Sequence, residues 1–245
     1  MSIFCIHTQS PNSKARTGTV FLKSGMVQTP VFMPIGTIGS VKSVMNSELE
    51  KLNFEIILGN TYHLWLNPDL EIMENAGGLH GFNAWRRPIL TDSGGFQAFS
   101  LSKIRKFDET GVTFRVPKNG QKRFLSPEIS MKIQTVLDSD IALVLDECLP
   151  SEVSQKTAFD AMNRTFRWAN RSQTEWKILQ TKKENLQKTN LEKVAETQKT
   201  QNNFENNSQI INSQNSANFS SNYLNKTALL KQKFSVQNLS RLFPN

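Results

Sequence analysis

The chain has 245 residues, enough for one barrel-sized domain or two small ones, and its net charge of +8 suits a polyanionic partner, nucleic acid before membrane, although simple solubility would also account for it. Cys5 and Cys148 are the only cysteines, too few and too widely spaced for a disulfide framework or a self-contained zinc site. No apolar run approaches the roughly 20 residues of a membrane span and the N-terminus has no signal-peptide core, so the expectation is a soluble, cytoplasmic protein with no membrane partner.

Four short apolar runs bounded by turn residues read as buried strands, at 29–36, 54–60, 87–92 and 140–147. Between the first two, residues 46–53 read as a helix capped by Ser47, and after the second, residues 68–78 read as a helix closed by Gly77. The stretch 112–125 pairs two β-prone runs around Asn119-Gly120, the signal of an antiparallel hairpin. A helix over 126–139 follows, with Ser126 as its cap, Pro127 in its first turn, and Ile129, Ile133, Val136 and Leu137 on one face. Residues 153–179 read as one further helix whose apolar face is Ala158, Ala161, Met162, Phe166 and Ala169. Strands alternating with helices, the last three strands apolar on both faces, predict an α/β fold with a parallel sheet.

The punctuation of a folded chain stops partway. All 12 glycines lie between Gly18 and Gly120, and no proline falls between Pro150 and Pro244. Residues 180–245 are rich in Asn, Gln, Lys and Ser, with too few apolar side chains to offset the cost of ordering a backbone, and are expected to be a disordered tail.

The most informative stretch is "PILTDSGGFQAFS", residues 88–100. Asp92 ends a strand, Gly94 and Gly95 let the backbone lie close to a bound group, and Phe96 offers a ring beside the gap. A carboxylate, bare backbone and an aromatic face suit a flat hydrogen-bonding ligand such as a nucleobase, although the same residues also form ordinary turns. In a parallel α/β fold, ligands meet the carboxyl ends of strands, where this sequence places Asn60, Thr61 and His63, then Asp92 and Ser93, then Asp146 and Glu147. Two carboxylates there can divide labour, one moving protons and one accepting the paired N–H donors of a guanine edge, which adenine does not present. Helix capping is the plainer reading of Asp146 and Glu147, and packing that of His63.

From about residue 12 to residue 172 the chain resembles the N-terminal part of the bacterial-type tRNA-guanine transglycosylases, or queuine tRNA-ribosyltransferases. The runs that carry the resemblance include "KARTG", "TPVFMPIGT", "ILGNTYHLWLNP", "GGLHGF", "PILTDSGGFQAFSL", "SPEISMKIQ", "SDIALVLDEC" and "RWANRS". The resemblance implies a (β/α)8 TIM barrel, with about its first half in residues 1–179 and the polar tail in 180–245. It implies exchange of guanine for a queuosine precursor base in a tRNA anticodon loop. By the family's motifs Asp92 is the proton acceptor, Asp92, Ser93, Gly94, Gly95 and Phe96 bind the base, and Asp146 reads the base edge with Cys148 close by. The implied partners are tRNA, guanine or a 7-deazaguanine precursor, and a complementary C-terminal half or a second copy. The family's nucleophilic Asp and its C-x-C-x2-C…H zinc site have no counterpart here, so no metal and no cofactor is expected in this chain. The enzyme is therefore expected to be truncated or split and inactive alone. The alternatives are a non-catalytic accessory subunit that binds tRNA or base, or a non-functional gene fragment.

Overall fold

The computed structural model describes residues 3–101 and 105–233. The chain divides into two compact units, Met1–Lys182 and Lys183–Asn245.

Unit 1 opens with a sheet that the sequence reading does not anticipate. Strands β1 (Phe4–Gln9), β2 (Arg16–Leu22) and β3 (Gly25–Thr29) pair antiparallel in that order. Gly18 makes this possible, since a Cβ there would lie 2.4 Å from the Cys5 carbonyl oxygen and against the Phe4 ring. Short strands in which Thr, Gln, His and Arg interrupt the apolar residues give little periodic signal, which is why they are missed.

The expected strand at 29–36 is reduced to β4 (Ile35–Gly36). Pro30 and Pro34 have no N–H to give a ladder, and Pro34 takes part only through its carbonyl, which accepts from the Leu58 N–H at 2.9 Å. Helix α1 (Asn46–Lys51) begins one residue before the expected cap: the Met45 N–H donates to the Glu48 carboxylate at 2.8 Å, and Ser47 lies in the first turn. Strand β5 (Ile57–Gly59) leads into α2 (Thr61–Leu66). The single helix expected at 68–78 is two. In α3 (Leu70–Asn75) Asp69 caps the start by accepting from the Ile72 N–H, and Gly77, left-handed at φ 80°, turns the chain into α4 (Gly78–Asn83).

Strand β6 (Ile89–Thr91) is followed by α5 (Gly95–Ser100). The hairpin forms as β8 (Val112–Arg115) and β9 (Lys122–Leu125), and β7 (Arg105–Phe107) adds a third antiparallel strand. Helix α6 (Pro127–Leu137) starts at Ser126, whose hydroxyl accepts from the Ile129 N–H. Strand β10 (Ile141–Ala142) closes a four-stranded sheet in the order β10-β6-β5-β4, parallel throughout. Among the described residues no helix is long and apolar enough to cross a membrane.

The period of two along these strands splits the core. Ile57 and Ile89 face the helices and join Leu64, Met73, Leu79, Ile133 and Leu137. Ile56, Leu58, Leu90 and Ile141 lie in a second cluster with Val20, Leu22 and Val27 of the antiparallel sheet. In a barrel this second face is the interior, and the β1–β3 sheet covers part of it.

Strand β10 is much shorter than the expected 140–147; just past it the Leu143 N–H still donates to the Thr91 carbonyl at 3.2 Å and is shared with Gln134. The Gln134 amide meets the Leu143 backbone as a strand would, accepting the N–H at 3.0 Å and donating to the carbonyl at 2.8 Å. The same amide accepts from the Thr91 hydroxyl at 2.9 Å and donates to Ser130 at 3.1 Å, and Ser130 donates to the Ser93 carbonyl at 2.8 Å. Gln134 and Ser130 are fully buried on the face of α6 read from sequence as apolar.

Helix α7 (Gln155–Lys233) starts in unit 1, where it turns a different face inward from the one expected. Ala161, Trp168 and Ser172 are buried, while Met162 and Phe166 are exposed. Polar anchors set that rotation. The Trp168 indole N–H donates to the Glu109 carbonyl at 2.9 Å, Arg171 chelates Glu128 at 2.7 and 2.8 Å, and Arg164 pairs with Glu147. Burial alone would raise the Glu128 carboxyl, but Arg171 and the Ser126 hydroxyl hold it down at about 2.

The second unit is helical through Lys233, where composition alone leads to an expectation of disorder. With no glycine after Gly120 and no proline between Pro150 and Pro244, the backbone meets no breaker there. Residues 234–245 of that tail lie outside the described residues.

Two stability predictions follow from these contacts. Gln134→Ala strands the Leu143 carbonyl and removes one of two partners from the Leu143 N–H and from the Thr91 hydroxyl, which keep the Thr91 carbonyl and the Ser139 hydroxyl; it should lower stability by about 1 to 3 kcal/mol, read as a lower urea midpoint at unchanged slope. The second concerns His80 and Asp140, whose Nε2 and Oδ2 are 3.1 Å apart. Burial opposes the Asp140 charge, but His80 and the N–H groups of Ile89 and Ser24 hold its carboxyl at about 2; the hydrogen bond to Asp140 raises the His80 imidazole. The depressed carboxyl contributes stability that is full above its unfolded value of about 3.9 and fades as pH falls toward 2. The raised imidazole contributes stability that is full below about 6.5 and fades as pH rises through its folded value. Stability from this pair should peak between about pH 4 and 6.5, and His80→Gln should flatten the alkaline limb in denaturation measured across pH.

Candidate base-binding site

The carboxyl ends of β5, β6 and β10 bring Asn60, Thr61, Asp92, Ser93 and Asp146 together. Asp92 is the centre. One carboxylate oxygen accepts from the Thr61 N–H at 2.9 Å and the Gly94 N–H at 3.1 Å; the other accepts from the Asn60 amide at 2.6 Å and the Gln97 amide at 2.9 Å. All four partners are donors, the complement of an ionised carboxylate. The Thr61 hydroxyl donates to the Asp92 carbonyl at 2.5 Å, which fixes the backbone as well.

Gln97 is absent from the sequence reading. Its signal was available: five residues after Asp92 and one turn into α5, it is carried back toward the strand end. Its amide oxygen is buried without a partner among the described residues, an acceptor open to a donor beside Asp92.

The two glycines divide the work differently from the expectation that both clear space for a ligand. Gly94 adopts φ 78°, the left-handed conformation that lets its N–H turn back to Asp92. A Cβ on Gly95 would lie 3.0 Å from the Leu145 side chain and 3.1 Å from the Asp146 carbonyl oxygen, so its bareness admits the neighbouring segment of the protein itself. Phe96 is 60% exposed, its ring free to cover something placed over the loop.

Asp146 and Ser93 meet across the strand ends, the Ser93 hydroxyl donating to Asp146 at 3.2 Å. The Cys148 thiol donates to the other Asp146 oxygen at 3.4 Å. Burial, aided by the Asp146 charge, pushes that thiol up to about 12, so Cys148 is a neutral donor and not a thiolate nucleophile. Neither Asp146 nor Glu147 caps a helix, since α7 begins at Gln155. Glu147 is committed to Arg164, and its N–H donates to the Thr165 hydroxyl at 3.1 Å. His63 packs edge-on against Tyr62 at 5.3 Å and does not reach Asp92 through any hydrogen bond among the described residues. Cys5 lies on β1, in a different sheet from the strand that precedes Cys148, and among the described residues no cluster of three His, Cys, Asp or Glu side chains could hold a metal.

The family model for queuine tRNA-ribosyltransferase matches residues 10–199. The chain is 57% identical over 169 residues to the queuine tRNA-ribosyltransferase of Neisseria meningitidis serogroup C, 69% of this chain and 45% of that protein. It is 58% identical over 169 residues to that of Chromobacterium violaceum, with the same shares covered. Against that of Verminephrobacter eiseniae it is 52% identical over 181 residues, 72% of this chain and 46% of the relative. The chain thus spans under half the length of the curated relatives it matches. A family pattern that runs through every strand of the parallel sheet, with more than half of the residues identical in three bacteria, makes this chain a member of the queuine tRNA-ribosyltransferase family.

Proposed function

We propose that the chain supplies the base-binding part of a tRNA-guanine transglycosylase, which exchanges a guanine in a tRNA anticodon loop for a 7-deazaguanine precursor of queuosine. The observation that carries this reading is the pairing of two carboxylates at adjacent strand ends in unlike surroundings. Asp92 is held by four donors beside the open Gln97 acceptor, and Asp146 is held by a hydroxyl and a thiol. In this reading Asp146 accepts the paired N–H donors of the guanine Watson–Crick edge, Ser93 and Cys148 orient it, and Phe96 covers the flat ring. Asp92 takes up the ring proton as the incoming base settles, and Asn60, Thr61, Gly94 and Gln97 hold it before and after. Cleavage at C1′ forms an ester between an attacking carboxylate and the ribose while guanine leaves with the bond pair, and the incoming base reverses the step.

The attacking carboxylate is not among the residues assigned here, because Asp92 and Asp146 both have other tasks. The relatives' family is associated with zinc, but the two cysteines of this chain do not fit such a site, so no step is routed through it. We further infer that residues 1–179 are the base-binding domain and that 180–245 take no part in it. No second reading is favoured by a specific contact.

Two measurements test this. Asp146→Ala should weaken guanine binding by about 1.5 to 3 kcal/mol in titration calorimetry while adenine binds poorly to both forms; equal affinity for the two bases would refute the assignment. Purified from a host that lacks its own transglycosylase, the chain alone should not exchange radiolabelled guanine into tRNA. Addition of the C-terminal half of a relative should restore exchange, with Asp92→Asn abolishing it. Turnover by the chain alone would place the nucleophile among these residues.

A further inference from the structure

Beside the Asp92 loop lies a second cavity, of about 400 Å³, between α2 and the β8–β9 hairpin. Tyr62 and His63 form one wall and Lys118 and Arg123 the other, with Leu66 and Val116 between them. The wall is shared with the base-binding loop: Thr61, which holds Asp92, immediately precedes Tyr62, and a Cβ on Gly94 would lie 3.4 Å from the Tyr62 backbone nitrogen.

Its chemistry differs from that of the base site. Two cations and a histidine line it, and among the described residues no carboxylate does. Arg123 lies over the Trp65 ring at 5.7 Å and, among the described residues, hydrogen-bonds only the Gln121 amide oxygen, at 3.4 Å, so no described carboxylate neutralises its charge. Lys118 stands at the exposed turn of the hairpin, with no carboxylate beside it in the cavity lining among the described residues. The Tyr62 hydroxyl is buried without a hydrogen-bond partner among the described residues, and Tyr62 lines this cavity.

We propose that this cavity holds the sugar–phosphate of an RNA nucleotide flanking the exchanged guanine, with Lys118 and Arg123 receiving its phosphate. The inference rests on the reading of the Asp92 loop as a base site. A guanine lifted from its stack draws the neighbouring backbone with it, and a cationic pocket next to the base site holds that backbone open. A volume of about 400 Å³ falls within the usual range for small-ligand sites, roughly 300 to 1,000 Å³.

The test uses the full chain, a labelled anticodon stem-loop RNA and free guanine. RNA affinity is measured across a salt series and guanine affinity by calorimetry. Lys118→Glu and Arg123→Ala should each weaken RNA binding by roughly three- to ten-fold and lower the slope of log K against log salt by about one. Guanine affinity should match the parent, and Arg123→Lys should keep the parent slope. Lys118 is exposed at the hairpin turn, so its variant reports on binding even if Arg123→Ala disturbs the contact with Trp65. Unchanged RNA affinity and slope in both variants, with guanine still bound, would overturn the pocket and leave the base site standing. Weaker binding at an unchanged slope, or no RNA binding by the parent, would also overturn it. Failure of the parent to bind guanine would instead overturn the base site, while the altered slope would still report the phosphate contact.

Discussion

The site depends on a polar network inside the sheet–helix layer. A parallel sheet covered by helices ordinarily excludes polar side chains between its layers, yet Thr91, Ser130, Gln134 and Ser139 meet there with little or no exposure. Each hydrogen bond contributes modestly, but leaving any partner unmatched in that setting costs more than the bond contributes. The network is therefore close to all-or-none. It fixes the Ser93 carbonyl through Ser130 and the Leu143 backbone through Gln134. Those two points set where the chain leaves β6 and β10, and so where Asp92 and Asp146 stand relative to one another.

Much of the parallel sheet was legible because its strands are brief apolar runs between turn residues, and a run buried on both faces needs no alternation to be recognised. The cap at Ser126, the turn at Gly77 and the hairpin at Asn119-Gly120 were legible for a related reason: each is decided by local dihedrals and hydrogen bonds. Strand lengths were not. Just past β10 the Leu143 N–H is shared between Thr91 and the Gln134 side chain, and before β4 two prolines lack an N–H to give the ladder. The inward face of α7 was misread because apolar spacing was the only guide, while the helix is rotated by Arg164, Trp168 and Arg171 binding Glu147, Glu109 and Glu128 across long sequence separations. In the candidate site Asp92 and Asp146 were legible from strand ends and motif. Gln97, Ser130 and Gln134 were not, since a polar residue on a helix reveals its role only when its partners are known.

That rotation leaves Phe159, Met162 and Phe166 on the outer face of α7, spaced three and four residues apart and exposed. Leu143 and Val144, just past the end of β10, are exposed as well. The sheet has β4 and β10 as its outer strands, and in the family's (β/α)8 barrel such strands are paired on both sides. The Asp92 loop draws its hydrogen bonds from elsewhere, namely from α2, α5, α6 and the segment after β10, all within unit 1.

The acids at or near the strand ends separate by their partners. Asp140 is enclosed by His80 and backbone N–H groups at the start of β10, and its contribution is to the fold. Glu147 is bound to Arg164 and anchors α7. Asp146 faces a hydroxyl and a neutral thiol, both of which can yield to the stronger donors of a ligand without leaving a buried charge unmatched. Asp92 is different again, because its four donors include two side-chain amides that can turn, whereas the Thr61 and Gly94 N–H groups cannot. One of its oxygens is thus fixed by backbone and the other is held by groups able to move aside. A carboxylate arranged in this way can release one lone pair to accept a proton while the other oxygen keeps its place, which is the mechanical requirement for a base that must act and then reset.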